Sequence, residues 1–307
     1  MDLTLELVTV ITANYNGIRY LREAVESVLA QDYGAIEYII VDDGSTDDSK
    51  ILIEELSHRD DRIKPIFLSR NVGVAEARNQ GIKNATGKYI TFIDADDIWC
   101  KEKISSQVNV FQKYPKAGLV VTAAQVIGAQ GQYLCEKKPS TRRDGVKQGQ
   151  VSLYDYVSGQ IPASINTMTK RECINRVGLF NPRYVIGEDY ELWMRIVRHY
   201  EYYYIDKPLH YYRIHDNNAT KDKLFNRKSK LKILEEMLEK DPCLESQLGD
   251  KFQVILHRKY NALGRIYFEK GQLKNAKECF EKALNIKSHF IHTLKSQLWL
   301  FFIKVKS

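Results

Sequence analysis

The stretch Lys88-Tyr89-Ile90-Thr91-Phe92-Ile93 is largely apolar and ends abruptly in Asp94-Ala95-Asp96-Asp97. A short apolar run of this kind predicts a buried strand, and the acidic cluster predicts a turn at its carboxyl end. Neighbouring carboxylates repel one another unless something neutralises them. A divalent cation does so, since Mg²⁺ typically takes one or two carboxylates and fills its other positions with water and phosphate oxygens. An acidic turn that caps a helix has a similar composition, so the cluster alone leaves both interpretations open.

Strand and helix patterns alternate through the first hundred or so residues around this stretch. The predicted strands are Leu7 to Ala13, Glu37 to Val41, Ile63 to Leu68 and Lys88 to Ile93, and helices are predicted at Ile18 to Gln31, 47 to 57 and Val74 to Asn84. Such alternation is typical of a mostly parallel sheet covered by helices on both faces. Ligands of these sheets bind at the carboxyl ends of the strands. Asn14, Asp42 and Asp94 each follow a strand, so we expect them at one rim.

Two further acidic clusters, Asp42-Asp43 and Glu188-Asp189, also allow two interpretations. A carboxylate at a strand end can accept a hydrogen bond from a nucleobase imide or a ribose hydroxyl, or it can cap the next helix. Glu188-Asp189 precedes an amphipathic helix predicted from Tyr190 to Tyr200, and the helix macrodipole favours a carboxylate there. The functional interpretation is a general base that takes a proton from a hydroxyl.

The order of these motifs closely resembles that of family 2 glycosyltransferases of the GT-A fold. In chain order the motifs are Thr12-Ala13-Asn14-Tyr15-Asn16, Asp42-Asp43-Gly44-Ser45, Asn71-Val72-Gly73 with Ala77-Arg78-Asn79, Asp94-Ala95-Asp96-Asp97, and Gly187-Glu188-Asp189. The resemblance covers about Leu7 to Ala219. It implies an α/β fold of the GT-A type, with a mostly parallel sheet sandwiched by helices and, in this chain, a small all-helical C-terminal region.

The resemblance also implies roles for individual residues. The residues expected to bind the nucleotide are Thr12, Ala13, Asn14, Asp42, Arg78 and Asp94, with Asp42 reading the base and Asp94 the ribose. Asp96 is expected to hold Mn²⁺ or Mg²⁺ against the diphosphate, and His215 to add a metal or phosphate contact. Asp189 is expected to be the catalytic base.

These roles together imply an inverting glycosyltransferase. Its donor is expected to be a nucleoside-diphosphate sugar, with UDP as the nucleotide, and its acceptor a hydroxyl of a saccharide or a lipid-linked saccharide in cell-surface polysaccharide synthesis. One alternative is a sugar nucleotidyltransferase, although such enzymes usually carry a glycine-rich loop after the first strand, where this chain has Gly17 alone. The other is a non-catalytic scaffold that acts through its helical tail.

Beyond Leu224 the predicted elements are helices only, which places a boundary near Asp222. The sequence therefore predicts domains at residues 1–221 and 222–307. Within the second, His257 to Lys287 carries the spacing of one tetratricopeptide-like helix pair. The segment from Lys221 onward has 19 Lys+Arg and 10 Asp+Glu, and the preceding 220 residues have 27 and 29. The basic character therefore belongs to the tail. Its apolar run Leu298 to Ile303, edged by lysines, is a candidate contact with a membrane surface or a second subunit.

The remaining features suggest the compartment. The five cysteines are scattered and form no CxxC pair, which is typical of a reducing environment. The start of the chain has no basic segment like that of a secretory signal, and Leu298 to Ile303 is far shorter than a membrane span. The sequence therefore predicts a cytoplasmic protein, either free or peripheral at the inner face of the membrane, with no nucleic-acid partner.

Overall fold

The computed structural model describes residues 5–137, 149–159, 165–216, 218, 221–241, 243–249, 251–286 and 296–303. The chain forms two compact units, Met1–Asn218 and Ala219–Ser307. The division predicted from the sequence lies close by, at 221/222. Each unit has its own hydrophobic cluster, and each is described by itself below.

The first half of the first unit is an alternating strand–helix repeat. Its strands are β1 (Val8–Asn14), β2 (Ile36–Asp42), β3 (Ile63–Phe67) and β4 (Tyr89–Phe92), and its helices are α1 (Ile18–Leu29), α2 (Ser49–Arg59) and α3 (Val74–Asn84). The four strands lie in the order β3-β2-β1-β4, and every pair is parallel. Helix α3 approaches β1 closely because Gly81 has no side chain: a Cβ there would lie 2.6 Å from Ile11 Cγ2.

The second half extends the same sheet in mixed directions. Its strands are β5 (Ile98–Trp99), β6 (Ala117–Ile127), β7 (Tyr133–Lys137), β8 (Gly149–Val151), β9 (Met168–Lys170) and β10 (Glu201–Arg213), and its helices are α4 (Lys103–Lys113), α5 (Leu153–Ser158), α6 (Arg171–Val177) and α7 (Glu188–Val197). Strand β9 lies antiparallel between β4 and β6, while β6 and β10 are parallel. The α/β architecture predicted from the sequence is confirmed, and its parallel pairs are those of β1 to β4 and of β6 with β10.

Strand β10 shows where the sequence pattern misleads. The runs from Tyr202 to Ile205 and from His210 to Ile214 each look like a separate strand, but Glu201–Arg213 is one long strand that pairs with β6. The register shifts around Pro208 explain the misleading pattern, because a proline has no N–H for the ladder and interrupts the alternation of side chains.

The second unit is helical in the part that the structure describes. It contains α8 (Lys223–Lys240), α9 (Cys243–Leu248), α10 (Lys251–Glu269) and α11 (Leu273–Leu284), and residues 296–303 are also helical. Helices α10 and α11 form the pair expected from the tetratricopeptide-like spacing. They approach closely at Gly264, where a Cβ would lie 2.8 Å from the Phe280 ring. Among the described residues, no helix combines the length and apolar character needed to cross a membrane.

Candidate active site

The carboxyl ends of β1, β2 and β4 bring three of the predicted site residues to one edge of the sheet. Asn14 is the last residue of β1 and lies beside Asp42, the last residue of β2. Asp94 follows β4, which pairs with the other side of β1. The parallel register therefore places the amide between the two carboxylate-bearing turns, as the strand pattern predicts.

The two neighbouring carboxylates Asp42 and Asp43 have different partners. Asp42 accepts hydrogen bonds from Asn14 Nδ2 at 2.8 Å and from the Ser45 hydroxyl at 2.6 Å and amide at 3.0 Å. Asp43 accepts from the amides of Val72 and Gly73 at 2.8 and 2.9 Å. Asp43 therefore fixes the loop before α3, and Asp42 is the member of the pair that faces Asn14.

The β1 residues expected to hold the nucleoside are not equally accessible. Thr12 is wholly buried, with its hydroxyl bonded to the Tyr38 hydroxyl at 2.9 Å and donating to the Ile93 carbonyl. Its side chain thus has a structural role here, and its contact with a nucleoside stays a prediction that the geometry does not favour. Ala13 is partly exposed, and the buried Asn14 Oδ1 has no hydrogen-bond partner in the described structure. Asn14 therefore retains an unused acceptor next to Asp42.

The acidic turn after β4 divides its three carboxylates between two environments. Oxygens of Asp94, Asp96 and Asp97 lie within 4.8 Å of one another. Asp97 is buried, and it is bonded to His210 Nε2 at 2.6 Å and to the Arg213 amide at 2.9 Å. Asp94 and Asp96 are partly exposed. The turn therefore presents two carboxylates outward and uses the third to attach itself to β10.

The outward pair Asp94 and Asp96 fits a hard divalent cation. Burial, together with the charges of Asp97 and Asp94, raises the pKa of Asp96 to about 6, although a bond to His215 opposes this. A bound cation offsets the repulsion between carboxylates crowded in this way, and Mg²⁺ and Mn²⁺ prefer oxygen ligands. The turn therefore offers ligands of the kind that suits the metal predicted at Asp96.

His215 lies beside this pair. Its Nε2 is 2.7 Å from Asp96 Oδ2, the same oxygen to which Asn218 donates at 3.2 Å, and its ring centroid is 5.1 Å from that of Tyr20. The structure thus brings His215 to the turn, as the sequence predicts. A direct contact of its ring with a metal or a phosphate stays a prediction, because that nitrogen already faces Asp96.

Arg78 joins the acidic turn to the helix that carries the predicted base. From α3, its Nη2 donates to Asp94 Oδ1 at 2.8 Å and its Nη1 to Glu188 Oε1 at 2.6 Å. The side chain is buried, which by itself would lower its pKa, but the charges of Asp94, Glu188 and Asp189 raise it. The guanidinium is therefore a permanent cation between two carboxylates. This geometry favours a positioning role, and its predicted contact with nucleotide phosphates stays a prediction.

Asp189 lies in the first turn of α7, after Gly187 with φ 90°. It is partly exposed, and its Oδ1 accepts from the Tyr190 amide at 2.6 Å. Its negative charge also helps to raise the pKa of Arg78. Its neighbour Glu188 is buried against Arg78. Asp189 is thus the more exposed carboxylate of the pair. It lies at the end of α7 that Arg78 links to Asp94 through Glu188.

Sequence reasoning missed the residues that hold this site together. They are Ser45, Glu188 as the partner of Arg78, Asn166, His210, Arg213 and Asn218. The one signal available was the pair of residues His210 and Arg213 inside the strand-like run from His210 to Ile214, because buried polar groups require partners.

The chain matches two family models. Residues 9–178 match the model of glycosyl transferase family 2, and residues 258–290 match a tetratricopeptide repeat model. The second match confirms the repeat pattern recognised in the tail.

Several curated relatives are named as glycosyltransferases. An uncharacterized glycosyltransferase of Rickettsia typhi is 32% identical over 70% of this chain and 66% of its own length. The glycosyltransferase TuaG of Bacillus subtilis, named for teichuronic acid biosynthesis, is 30% identical over 71% of this chain and 82% of its own. An uncharacterized glycosyltransferase of Rickettsia felis is 31% identical over 74% of this chain, but the chain spans only 37% of that relative.

Solved structures share the fold at low sequence identity. TarS 1–349 of S. aureus, in complex with UDP-GlcNAc, superposes with a TM-score of 0.62 and 18% identity over 90% of this chain and 83% of that one. The mannosyltransferase PcManGT of Pyrobaculum calidifontis, in complex with GDP-Man and Mn²⁺, gives 0.65 and 17% over 99% and 81%. The GT-A-type fold expected from the sequence is thereby confirmed.

We expect Arg78→Met to lower the free energy of unfolding by about 3–5 kcal/mol, because it leaves the buried Glu188 without its cation. Urea unfolding measures the change. Arg22→Met is the matched control: it removes an ion pair to Glu55 whose side chains are 42% and 38% exposed, and it should cost less than about 1 kcal/mol. Equal small losses in both variants would show that Arg78 does not hold the turn and α7 together.

Proposed function

The chain belongs to glycosyl transferase family 2, and we propose that it transfers a sugar from a UDP-linked donor to a hydroxyl of a saccharide or lipid-linked saccharide, with inversion at the anomeric carbon. The observation that carries the proposal is the placement of the partly exposed Asp94, Asp96 and Asp189 on two elements joined by Arg78. One element suits a diphosphate with its metal, and the other suits a base.

The donor side consists of the ends of β1, β2 and β4. Asp42, with Asn14 at its side, would accept from a nucleobase imide, and Asp94 from ribose hydroxyls. Asp96 would hold Mn²⁺ or Mg²⁺ against the diphosphate, where such an ion stabilises the negative charge of the leaving group. The structural likeness to proteins solved with UDP-GlcNAc and with GDP-Man and Mn²⁺ supports a nucleotide-sugar donor.

The acceptor side consists of Asp189 at the start of α7. Asp189 takes the proton of the acceptor hydroxyl while the hydroxyl oxygen bonds to the anomeric carbon and the bond from that carbon to the diphosphate oxygen breaks. The attacking oxygen and the leaving group lie on opposite faces, so one displacement inverts the configuration. Glu188 cannot replace Asp189 in this step, because it is buried and its Oε1 is bonded to Arg78.

The relatives bear on the biological process that this reaction serves. TuaG is named for teichuronic acid biosynthesis, which supports synthesis of a cell-surface polysaccharide as the role of this chain. Family membership also favours transfer of a glycosyl group over the alternative of a sugar nucleotidyltransferase. A scaffold without activity is disfavoured because Asp42, Asp94, Asp96 and Asp189 are all present.

We expect Asp189→Asn to lower the transfer rate by about 10²–10⁴-fold without weakening donor binding, because only the proton acceptor is lost. We expect Asp96→Ala to weaken Mn²⁺-dependent donor binding. Turnover of candidate nucleotide sugars and calorimetric titration with UDP and Mn²⁺ measure the two effects. Asp61→Asn, an exposed carboxylate before β3, is the control for a lost charge. Normal turnover in Asp189→Asn would reject the base, and an unchanged metal titration in Asp96→Ala would reject the ligand.

We further propose that the second unit rests on an anionic membrane surface. On the helical residues 296–303, Leu298, Phe301 and Phe302 are 54%, 59% and 44% exposed, at a spacing that places them on one helix face. The first turns of α8 carry exposed cations at Lys223, Arg227 and Lys228. Apolar and aromatic side chains on a basic unit are typical of a peripheral membrane contact.

Vesicle co-sedimentation tests this contact. The protein is expected to bind phosphatidylglycerol-containing vesicles, not phosphatidylcholine alone, and replacing both Phe301 and Phe302 by Ser should lower the affinity on the order of tenfold. Ile51→Ser removes an apolar residue of the first unit that is 65% exposed and should not change vesicle binding. If the double variant binds vesicles normally but changes the oligomeric state in solution, the face is instead a contact between copies of the chain.

A further inference from the structure

A buried chain of hydrogen bonds runs inward from the acidic turn and is not used by the proposed chemistry. Asp97 Oδ2 lies 2.6 Å from His210 Nε2, and His210 Nδ1 lies 2.7 Å from Asn166 Nδ2. All three side chains are buried, with exposures of 2%, 3% and 1%. They come from three separate parts of the first unit: the turn after β4, the C-terminal part of β10 and the residues just before β9.

The two contacts determine how the histidine is protonated at this site. An amide Nδ2 can only donate, so His210 Nδ1 accepts, and the ring proton lies on Nε2, which donates to the carboxylate of Asp97. The chain of donors therefore runs in one direction, from Asn166 through His210 to Asp97. Such an arrangement leaves His210 one orientation in which both of its nitrogens are satisfied.

The same turn is held at a second point by Arg213. The Arg213 amide donates to Asp97 Oδ1 at 2.9 Å, and its Nε donates to the Asp96 carbonyl at 2.8 Å. Arg213 is itself buried, with Nη2 2.5 Å from Glu23 Oε2 and its guanidinium over the Tyr20 ring. Both oxygens of Asp97 are thus bound to β10, while the Asp96 side chain projects from the same turn toward His215.

We propose that His210 and Asn166 are positioning residues for Asp96, the carboxylate proposed to hold the metal. They fix Asp97, Asp97 fixes the turn, and the turn sets the direction of the Asp96 oxygens. This inference rests on the proposed metal role of Asp96. Residues that orient a metal ligand through hydrogen bonds typically change metal affinity by about 10–100-fold when they are removed.

A set of His210 variants separates positioning from general support of the core. His210→Phe keeps a ring but removes both nitrogens. His210→Gln places an amide N–H near the position of Nε2 and so restores the bond to Asp97. We expect the Kd for Mn²⁺ in the presence of UDP to rise by about tenfold or more in His210→Phe and by less than about threefold in His210→Gln.

Calorimetric titration of the full chain with Mn²⁺ and UDP measures these affinities, and thermal unfolding without metal reports stability. His257→Phe is the matched control, since His257 is a buried histidine of the second unit, 2.8 Å from the Ala283 carbonyl. It should lower the unfolding temperature and leave Mn²⁺ affinity unchanged. If His210→Phe does not fold, Asn166→Ala replaces it, with an expected weakening of Mn²⁺ binding by several-fold.

The outcomes distinguish this inference from the proposed function. The positioning role alone would be overturned if Asp96→Ala abolishes Mn²⁺ binding while His210→Phe and Asn166→Ala leave the Mn²⁺ affinity unchanged. Equal weakening in His210→Gln and His210→Phe would also overturn it, because the restored bond to Asp97 would then have no effect. If Asp96→Ala binds Mn²⁺ as tightly as the wild-type chain does, the metal site and the inference are both overturned.

Discussion

The paired contacts of Arg78 are the constraint on which the rest of the site depends. A buried guanidinium loses its hydration, and the two carboxylates at 2.6 and 2.8 Å, together with the charge of Asp189, offset that cost. The three groups come from α3, from the turn after β4 and from α7. A shift of any of these elements breaks at least one of the two bonds. A single side chain therefore fixes the position of the proposed donor side relative to the proposed base.

Two of the acidic clusters divide their roles between adjacent carboxylates. Asp97 and Glu188 are buried and bonded to basic or amide groups, and their neighbours Asp96 and Asp189 are partly exposed. The buried member fixes the backbone, and the backbone then determines where the exposed member points. In the third cluster both carboxylates are buried: Asp43 anchors a loop, and Asp42 accepts from Asn14. The structural and the functional interpretation of one cluster thus apply to different residues.

Much of the architecture follows from local sequence patterns, and the site follows from them less completely. Strands β1 to β4 and their helices were predictable because each has its own apolar run and turn, and adjacent parallel strands bring their ends to one edge. The antiparallel insertion of β9 and the single long β10 were not, since they depend on pairings between distant segments. The partnership of Arg78 with Glu188 spans 110 residues. No spacing rule reveals such a contact, and exposure alone distinguishes Asp96 from Asp97.

The proposed reaction is sugar transfer with a nucleoside diphosphate as the leaving group. It is tested by incubating the protein with Mn²⁺ and a panel of nucleotide sugars and identifying the phosphate-containing product. We expect one UDP-linked donor to release nucleoside diphosphate, in a reaction that depends on Mn²⁺ and is faster when a saccharide acceptor is added. Release of pyrophosphate, or no turnover of any donor with metal and acceptors present, would rule the reaction out.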